Sequence, residues 1–314
     1  MSASDGMRMH PEARDWFPER TSQSPPWTNM ELLRAKGSRT VSVVLPALDE
    51  EATVAGVIAS VRPLLGSLVD EIVVMDSGST DGTARVAAAA GARVVHRDDV
   101  LPELTPLPGK GEVLWRSLAA TTGDVLVFID ADLIEPDPAF VPTLLGPILC
   151  QPDVHLVKGF YRRPLNVEAA DVGAGGGRVT ELLARPLLSV LRPELSGLVQ
   201  PLGGEYAGTR EFLESVPFAA GYGVEIGLLL DAYELYGLAG IAQVNLGVRR
   251  HRNRPLQQLG LMARQILGTV LQRWGLPSGA GGLTQFVQVA GEWLPDTTEV
   301  LVAARPPMRD VLVR

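Results

Sequence analysis

The chain has 314 residues, 46% hydrophobic and 20% charged, with a formal charge of −8. This composition suits a globular protein with a sizeable core and excludes both a disordered chain and a general nucleic-acid binder, which carries a basic surface. A single cysteine, Cys150, excludes a disulfide framework, fits a reducing cytoplasm and reads as a small core residue. No signal-peptide pattern opens the chain and no run of about 18 apolar residues interrupts it, so no membrane partner is expected.

Residues 1–38 are polar and Pro-containing, with Trp16, Phe17 and Trp27 as isolated anchors, and read as an N-terminal arm lying over the domain or as a partly disordered segment. From residue 40, short β-branched runs alternate with helical periodicity. Val41–Leu45 predicts a buried strand, and Val54, Val57, Ile58, Val61, Leu64 and Leu65 fall at helical spacing. Glu71–Met75 predicts a strand, Thr83–Ala90 a helix, Ala92–His96 a strand, Lys110–Ala120 a helix and Val125–Ile129 a strand. The alternation predicts an α/β protein with right-handed crossovers and a mostly parallel sheet. Further on, Val154–Tyr161 predicts a strand and Ala174–Thr180 a Gly-rich opening of a helix. Val224–Tyr236 predicts a helix, Ile241–Val248 a strand and Leu256–Trp274 a long helix, with a loop-like tail over 277–314.

Ligands of such sheets lie beyond the carboxyl ends of the strands. Three acid-rich segments fall there: Pro46-Ala47-Leu48-Asp49-Glu50-Glu51, Asp76-Ser77-Gly78-Ser79-Thr80-Asp81 and Asp130-Ala131-Asp132. Asp130 and Asp132 are two apart in extended chain and share a face, a spacing that suits a hard divalent cation with positions open for phosphate oxygens; an acidic turn capping the next helix is the alternative. Gly78 allows a tight turn in which Ser79, Thr80 or Asp81 can cap the next helix, while Asp76 and Ser77 at the strand tip can meet a base or ribose. Lys110, flanked by Gly109 and Gly111 where a helix opens, suits a diphosphate. Gly175–Thr180 offers backbone N–H groups with Arg178 and Thr180 to an anion. The basic run Arg249–Arg254 directly follows a strand, and its His251 can complete a metal site with the aspartates. Glu225, early on an otherwise apolar helix, is a candidate for holding sugar hydroxyls.

Together these residues resemble the glucosyl-3-phosphoglycerate synthases of actinobacteria, which are GT-A-fold retaining glycosyltransferases, with the bacterial mannosyl-3-phosphoglycerate synthases close beside them. The resemblance runs from about Trp27 to Gln285. It is carried by Val43-Val44-Leu45-Pro46-Ala47-Leu48, Pro108-Gly109-Lys110-Gly111-Glu112, Phe160-Tyr161-Arg162-Arg163-Pro164-Leu165 and His251-Arg252-Asn253-Arg254-Pro255-Leu256. It implies a Rossmann-like GT-A fold with a nucleotide-sugar half over 39–160 and a smaller acceptor-binding half over 161–276. It further implies that Pro46, Ala47, Leu48, Glu50, Ser77 and Lys110 hold the nucleotide, with Asp130 and Ala131 on the ribose side. Asp132 and His251 would bind Mg2+ or Mn2+, and Glu225 would hold the donor sugar, with Glu225, Lys110 and Asp132 forming the catalytic set. Gly177, Arg178, Thr180 and Asn253 would grip 3-phosphoglycerate, with Tyr222 and Arg249 nearby. The implied reaction moves a hexose to the 2-hydroxyl of D-3-phosphoglycerate with retention, by same-face attack in which the leaving diphosphate takes the acceptor proton. UDP-glucose is the expected donor, with GDP-mannose as the rival. A homodimer touching through Leu256–Trp274 is implied as well. The family often has Asn where this chain has Asp49.

Overall fold

The structure, a computed structural model, describes residues 9–162, 177–249, 255–278 and 281–312. In chain order the elements are α1 (Pro11–Arg20), β1 (Thr21–Ser22), α2 (Asn29–Lys36), β2 (Val41–Ala47), α3 (Val54–Val61), β3 (Glu71–Asp76), α4 (Thr83–Ala89) and β4 (Arg93–His96). There follow α5 (Lys110–Ala120), β5 (Val125–Phe128), α6 (Phe140–Cys150), β6 (Leu156–Arg162), α7 (Arg185–Leu191), β7 (Tyr206–Thr209), α8 (Arg210–Ser215), β8 (Phe218–Ala219), α9 (Val224–Tyr236) and β9 (Ile241–Val248). The last are α10 (Leu256–Arg273), β10 (Leu283–Val289), β11 (Glu292–Thr298), β12 (Ala304–Arg305) and α11 (Met308–Val311).

Eight strands form one sheet in the order β1-β9-β6-β7-β5-β2-β3-β4. All run parallel except β7, which is antiparallel to both its neighbours, β5 and β6. The expected α/β architecture with a mostly parallel sheet is what forms. Its cause is visible in β2, where alternate side chains enter different cores. Val41, Val43 and Leu45 pack with Val54, Val57, Ile58 and Val61 of α3 on one face. Val44 points the other way, to Val113, Leu114 and Leu118 of α5.

Trp16 anchors the N-terminal segment on the domain: it is buried and its indole N–H donates to Ile241 O at 2.9 Å. α2 opens on a capping box in which Thr28 and Glu31 each accept from the other's backbone N–H. The structure corrects other expectations. Helix α3 stops at Val61 and Leu64 lies in a tight turn, because Pro63 cannot continue the α-helical hydrogen bonding. The tail is not loop-like. β10 and β11 form a hairpin whose two-residue connection, Ala290-Gly291, has both φ angles positive (50° and 90°), the geometry that matches strand twist. Cys150 is exposed, since it ends α6 at the rim.

Candidate active site

The parallel strands β2, β3, β4, β5 and β9 all finish at one edge of the sheet, and reversed β7 begins there. A cleft of about 550 Å³ opens along that edge. β2 contributes Pro46 and Ala47, and Leu48 and Glu50 follow it; Ser77 follows β3, and Asp130, Ala131 and Asp132 follow β5. Lys110 is the first residue of α5, Glu225 lies in the first turn of α9, and Arg249 follows β9. Gly177, Arg178, Thr180 and Tyr222 also line the wall, as do Arg97, Leu202 and Gly204. Every described site residue implied by the family resemblance therefore lines one cavity, whereas Asp76 does not. His251, Asn253 and the start of the Gly-rich segment, Gly175 and Gly176 included, lie outside the described residues.

Lys110 reaches its place because Gly109 adopts φ +113°, and a Cβ on Gly111 would stand 1.8 Å from Ala219 O. Its ammonium binds Asp130 Oδ1 at 2.6 Å and Glu225 Oε1 at 2.9 Å. Burial alone would lower its pKa, but these two carboxylates outweigh burial and hold it well above the ordinary lysine value. The Arg249 guanidinium bridges three acids: Nη2 meets Asp130 Oδ2 at 2.7 Å and Asp132 Oδ1 at 3.1 Å, while Nε meets Glu205 Oε1 at 2.8 Å. Burial and the Asp130 charge push the Asp132 carboxyl up to about 6 despite Arg249.

Two carboxylates thus converge on one positively charged nitrogen, and one of them keeps an unfavourable charge. Hard oxygen donors in that arrangement fit a divalent cation. Among the described residues no group of three His, Cys, Asp or Glu side chains is assembled to hold a metal. A third protein ligand would have to come from elsewhere.

The Asp76 turn departs from expectation. Asp76 is not among the residues lining the cleft, and its carboxylate accepts from Ser79 N (3.1 Å) and Ser79 Oγ (2.5 Å). Asp76 is a turn residue, whereas Ser77 lines the cleft and accepts from Arg97 Nη1 at 3.3 Å. Asp49 sits at φ +55°, a region Asn and Asp tolerate better than other side chains, and its Oδ1 accepts from Thr80 N at 2.7 Å. Asn and Asp are both compatible with that backbone.

Sequence reasoning missed Arg97, Lys158, Glu205 and Tyr206. Lys158 is buried on β6, donates to Gly203 O at 2.6 Å and lies 4.7 Å from the centre of the Tyr206 ring. Burial lowers its pKa to about 8. Glu205 is fully buried, and neither its Oε2 nor the Tyr206 hydroxyl has a hydrogen-bond partner among the described residues. The available signal was Leu202-Gly203-Gly204-Glu205-Tyr206, an acid set in an apolar stretch beside a glycine pair.

Residues 42–168 match the family model "Glycosyl transferase family 2". The glucosyl-3-phosphoglycerate synthase of Mycolicibacterium smegmatis is 62% identical over 93% of this chain and 97% of that protein. The chain belongs to the glucosyl-3-phosphoglycerate synthases. It is therefore a glycosyltransferase, of the fold expected. A crystal structure of the Mycobacterium tuberculosis synthase with Mn2+, UDP-glucose and phosphoglyceric acid aligns at TM-score 0.86 and 57% identity, covering 93% of this chain and 98% of that one. Another, with Mg2+ and UDP, aligns at TM-score 0.86 and 57% identity, covering 93% and 99%. No helix among the described residues of this chain is long and apolar enough to cross a membrane.

Proposed function

We propose that this synthase transfers glucose from UDP-glucose to the 2-hydroxyl of D-3-phosphoglycerate, with retention at the anomeric carbon and with Mn2+ or Mg2+ as cofactor. The observation that carries the reading is the junction of Lys110, Asp130 and Glu225, which puts a cation and a buried sugar-facing acid at the centre of one cleft. Pro46, Ala47, Leu48, Glu50 and Ser77 hold the nucleotide, and Asp130 and Ala131 border the ribose. Lys110 steadies the diphosphate and Glu225 orients the glucose. Asp132, with His251, holds the metal, which when bound neutralises charge on the departing diphosphate. Gly177, Arg178, Thr180, Tyr222 and Asn253 seat the acceptor, and Arg249 orders the aspartates beside it. Catalysis is then mainly positioning and charge compensation within a closed wall.

This division assigns the nucleotide to 39–160 and the acceptor to 161–276, with Glu225 and His251 reaching the donor from the second half and the arm and tail outside both. The crystallised relative's UDP-glucose supports glucosyl rather than mannosyl transfer. A donor panel with 3-phosphoglycerate tests it: transfer from UDP- or GDP-glucose is expected, and transfer from GDP-mannose alone overturns the glucosyl reading. We place the reaction in the cytoplasm, on the strength of the single cysteine. A second copy of the chain is the proposed partner. β11 is exposed along its length and the hairpin presents Phe286, Val289, Trp293 and Leu294 to solvent, although a two-stranded hairpin is marginal by itself in water. Light scattering coupled to size exclusion should give a dimer mass that Trp293→Ser lowers.

A further inference from the structure

We propose that Arg305, in the C-terminal segment, is a positioning residue that sets Lys110 against the donor diphosphate; this rests on the reading of Lys110 given above. Strand β12 pairs antiparallel with β8, Ala304 opposite Ala219 and Arg305 opposite Phe218, and Ala220 N donates to Ala303 O at 2.8 Å. From there the Arg305 guanidinium reaches Glu112, two residues beyond Lys110. Nε meets Oε2 at 2.7 Å and Nη2 meets Oε1 at 2.8 Å, a bidentate pair. The same Nη2 donates to Thr105 O at 2.5 Å. The guanidinium also lies 5.1 Å from the Trp115 ring, whose N–H donates to Pro306 O at 2.9 Å.

Glu112 is fully buried and shared with a second buried arginine, Arg116, whose Nε stands 2.7 Å from Oε1. Arg116 also takes the carbonyls of Val100, Leu101 and Leu104. The two arginines therefore hold the loop that leads to Lys110 through its carbonyls, and the first turn of α5 through Glu112. On the far side Glu112 N donates to Ala220 O at 2.9 Å, and a Cβ on Gly109 would meet that same oxygen at 2.8 Å. The start of α5 is thus seated on Ala219–Gly221, the stretch that leads into Tyr222 and Glu225. One guanidinium joins the loop, the helix start and β8.

Removing Arg305 leaves Glu112 paired with Arg116, so no buried charge is orphaned and the fold is retained; what loosens is the placement of Lys110. The test is a double-mutant cycle of Arg305→Ala with Lys110→Ala, following UDP release in Mn2+ with both substrates. Arg305→Ala is expected to lower kcat/KM for UDP-glucose roughly 10- to 100-fold, the scale of a misplacement near 1 Å, while KM for 3-phosphoglycerate stays within about twofold. On the Lys110→Ala background the same change should cost less than about threefold. Arg305→Lys, which keeps the charge without the fork, should fall between, and it takes the place of alanine in the cycle should that variant not fold. Full activity of Arg305→Ala, or a loss that multiplies fully with that of Lys110→Ala, overturns the proposal. A Lys110→Ala enzyme that keeps the parent's kcat/KM for UDP-glucose instead overturns the reading of Lys110 itself.

Discussion

Replacing Gly204 by alanine puts a methyl group where the Lys110–Asp130 pair now closes. The added Cβ would stand 2.5 Å from Asp130 Oδ2, 2.9 Å from Lys110 Nζ and 3.0 Å from Asp130 Cγ. Gly204 is not among the positive-φ glycines, so the backbone accepts alanine without strain. The obstacles are the ends of two side chains, and these give way before the chain does. To reach ordinary contact at 3.4 Å, the carboxylate must withdraw by about 0.9 Å. That displacement opens a 2.6 Å ion pair and shifts the ammonium from the place where it would meet a diphosphate. A misplacement near 1 Å costs on the order of a hundredfold in rate, whereas overpacking of this size costs about 1–3 kcal/mol of stability. Gly204→Ala should therefore fold cooperatively, as followed by calorimetry, and lose about a hundredfold in kcat/KM for UDP-glucose. Gly56→Ala, on α3 with nothing within 4 Å of the new methyl, is the control and should gain up to about 1 kcal/mol with unchanged kinetics. A Gly204→Ala enzyme within threefold of the parent rate would refute the claim that this close approach sets the pair.

Asp132 supplies a second prediction: a carboxyl raised to about 6 from 3.8 favours the folded chain below pH 3.8 and loses that stabilisation as pH rises through 6. In metal-free protein, Asp132→Asn should melt above the parent at pH 7, with the gap closing toward pH 4; a lower melting temperature at pH 7 refutes it. Because a metal must displace that proton, Mn2+ affinity measured calorimetrically should weaken by up to about tenfold per pH unit below 6. For Lys158, with its pKa lowered from 10.5 to about 8, the buried charged form opposes folding below pH 8, and stability recovers as pH rises from 8 toward 10.5. Denaturant titrations should show that rise in the parent and not in Lys158→Met. Asp49→Asn keeps an acceptor for Thr80 N and suits φ +55°, so kinetics should be unchanged and stability within about 0.5 kcal/mol.

The strands β2, β3 and β5 were legible because each is a short β-branched run buried on both faces between turn signals, and the position of Asp130 and Asp132 followed from the end of β5. What the sequence hid has a common physical origin in long-range pairing. β7 is four residues long, reversed and contains a glycine, so no periodicity announced it, yet its start delivers Glu205 and Tyr206 to the ligand edge. The hairpin turn Ala290-Gly291 lacks the Asn-Gly or Asp-Gly signature that marks such turns. Arg305 is separated by 193 residues from the glutamate it grips, a pairing that no local pattern encodes.

The pairing of charges in the cleft also separates the two aspartates, which the spacing alone could not. Asp130, Asp132, Glu205 and Glu225 gather around Lys110 and Arg249, with Lys158 nearby, while Glu50, Arg97 and Arg178 also line the cleft. Asp130 receives a lysine on one oxygen at 2.6 Å and an arginine on the other at 2.7 Å, and Glu225 shares that lysine. Glu205 takes the Nε of Arg249. Among the described residues, Asp132 has only the longer contact at 3.1 Å, to a nitrogen it shares with Asp130. Asp132 is therefore the less compensated of the two aspartates, and burial together with the Asp130 charge raises its pKa to about 6. A cation entering the cleft gains most beside Asp132, while Asp130, already held by Lys110 and Arg249, is left to orient them. That asymmetry supports Asp132 as the metal-side carboxylate and Asp130 as the nucleotide-side one.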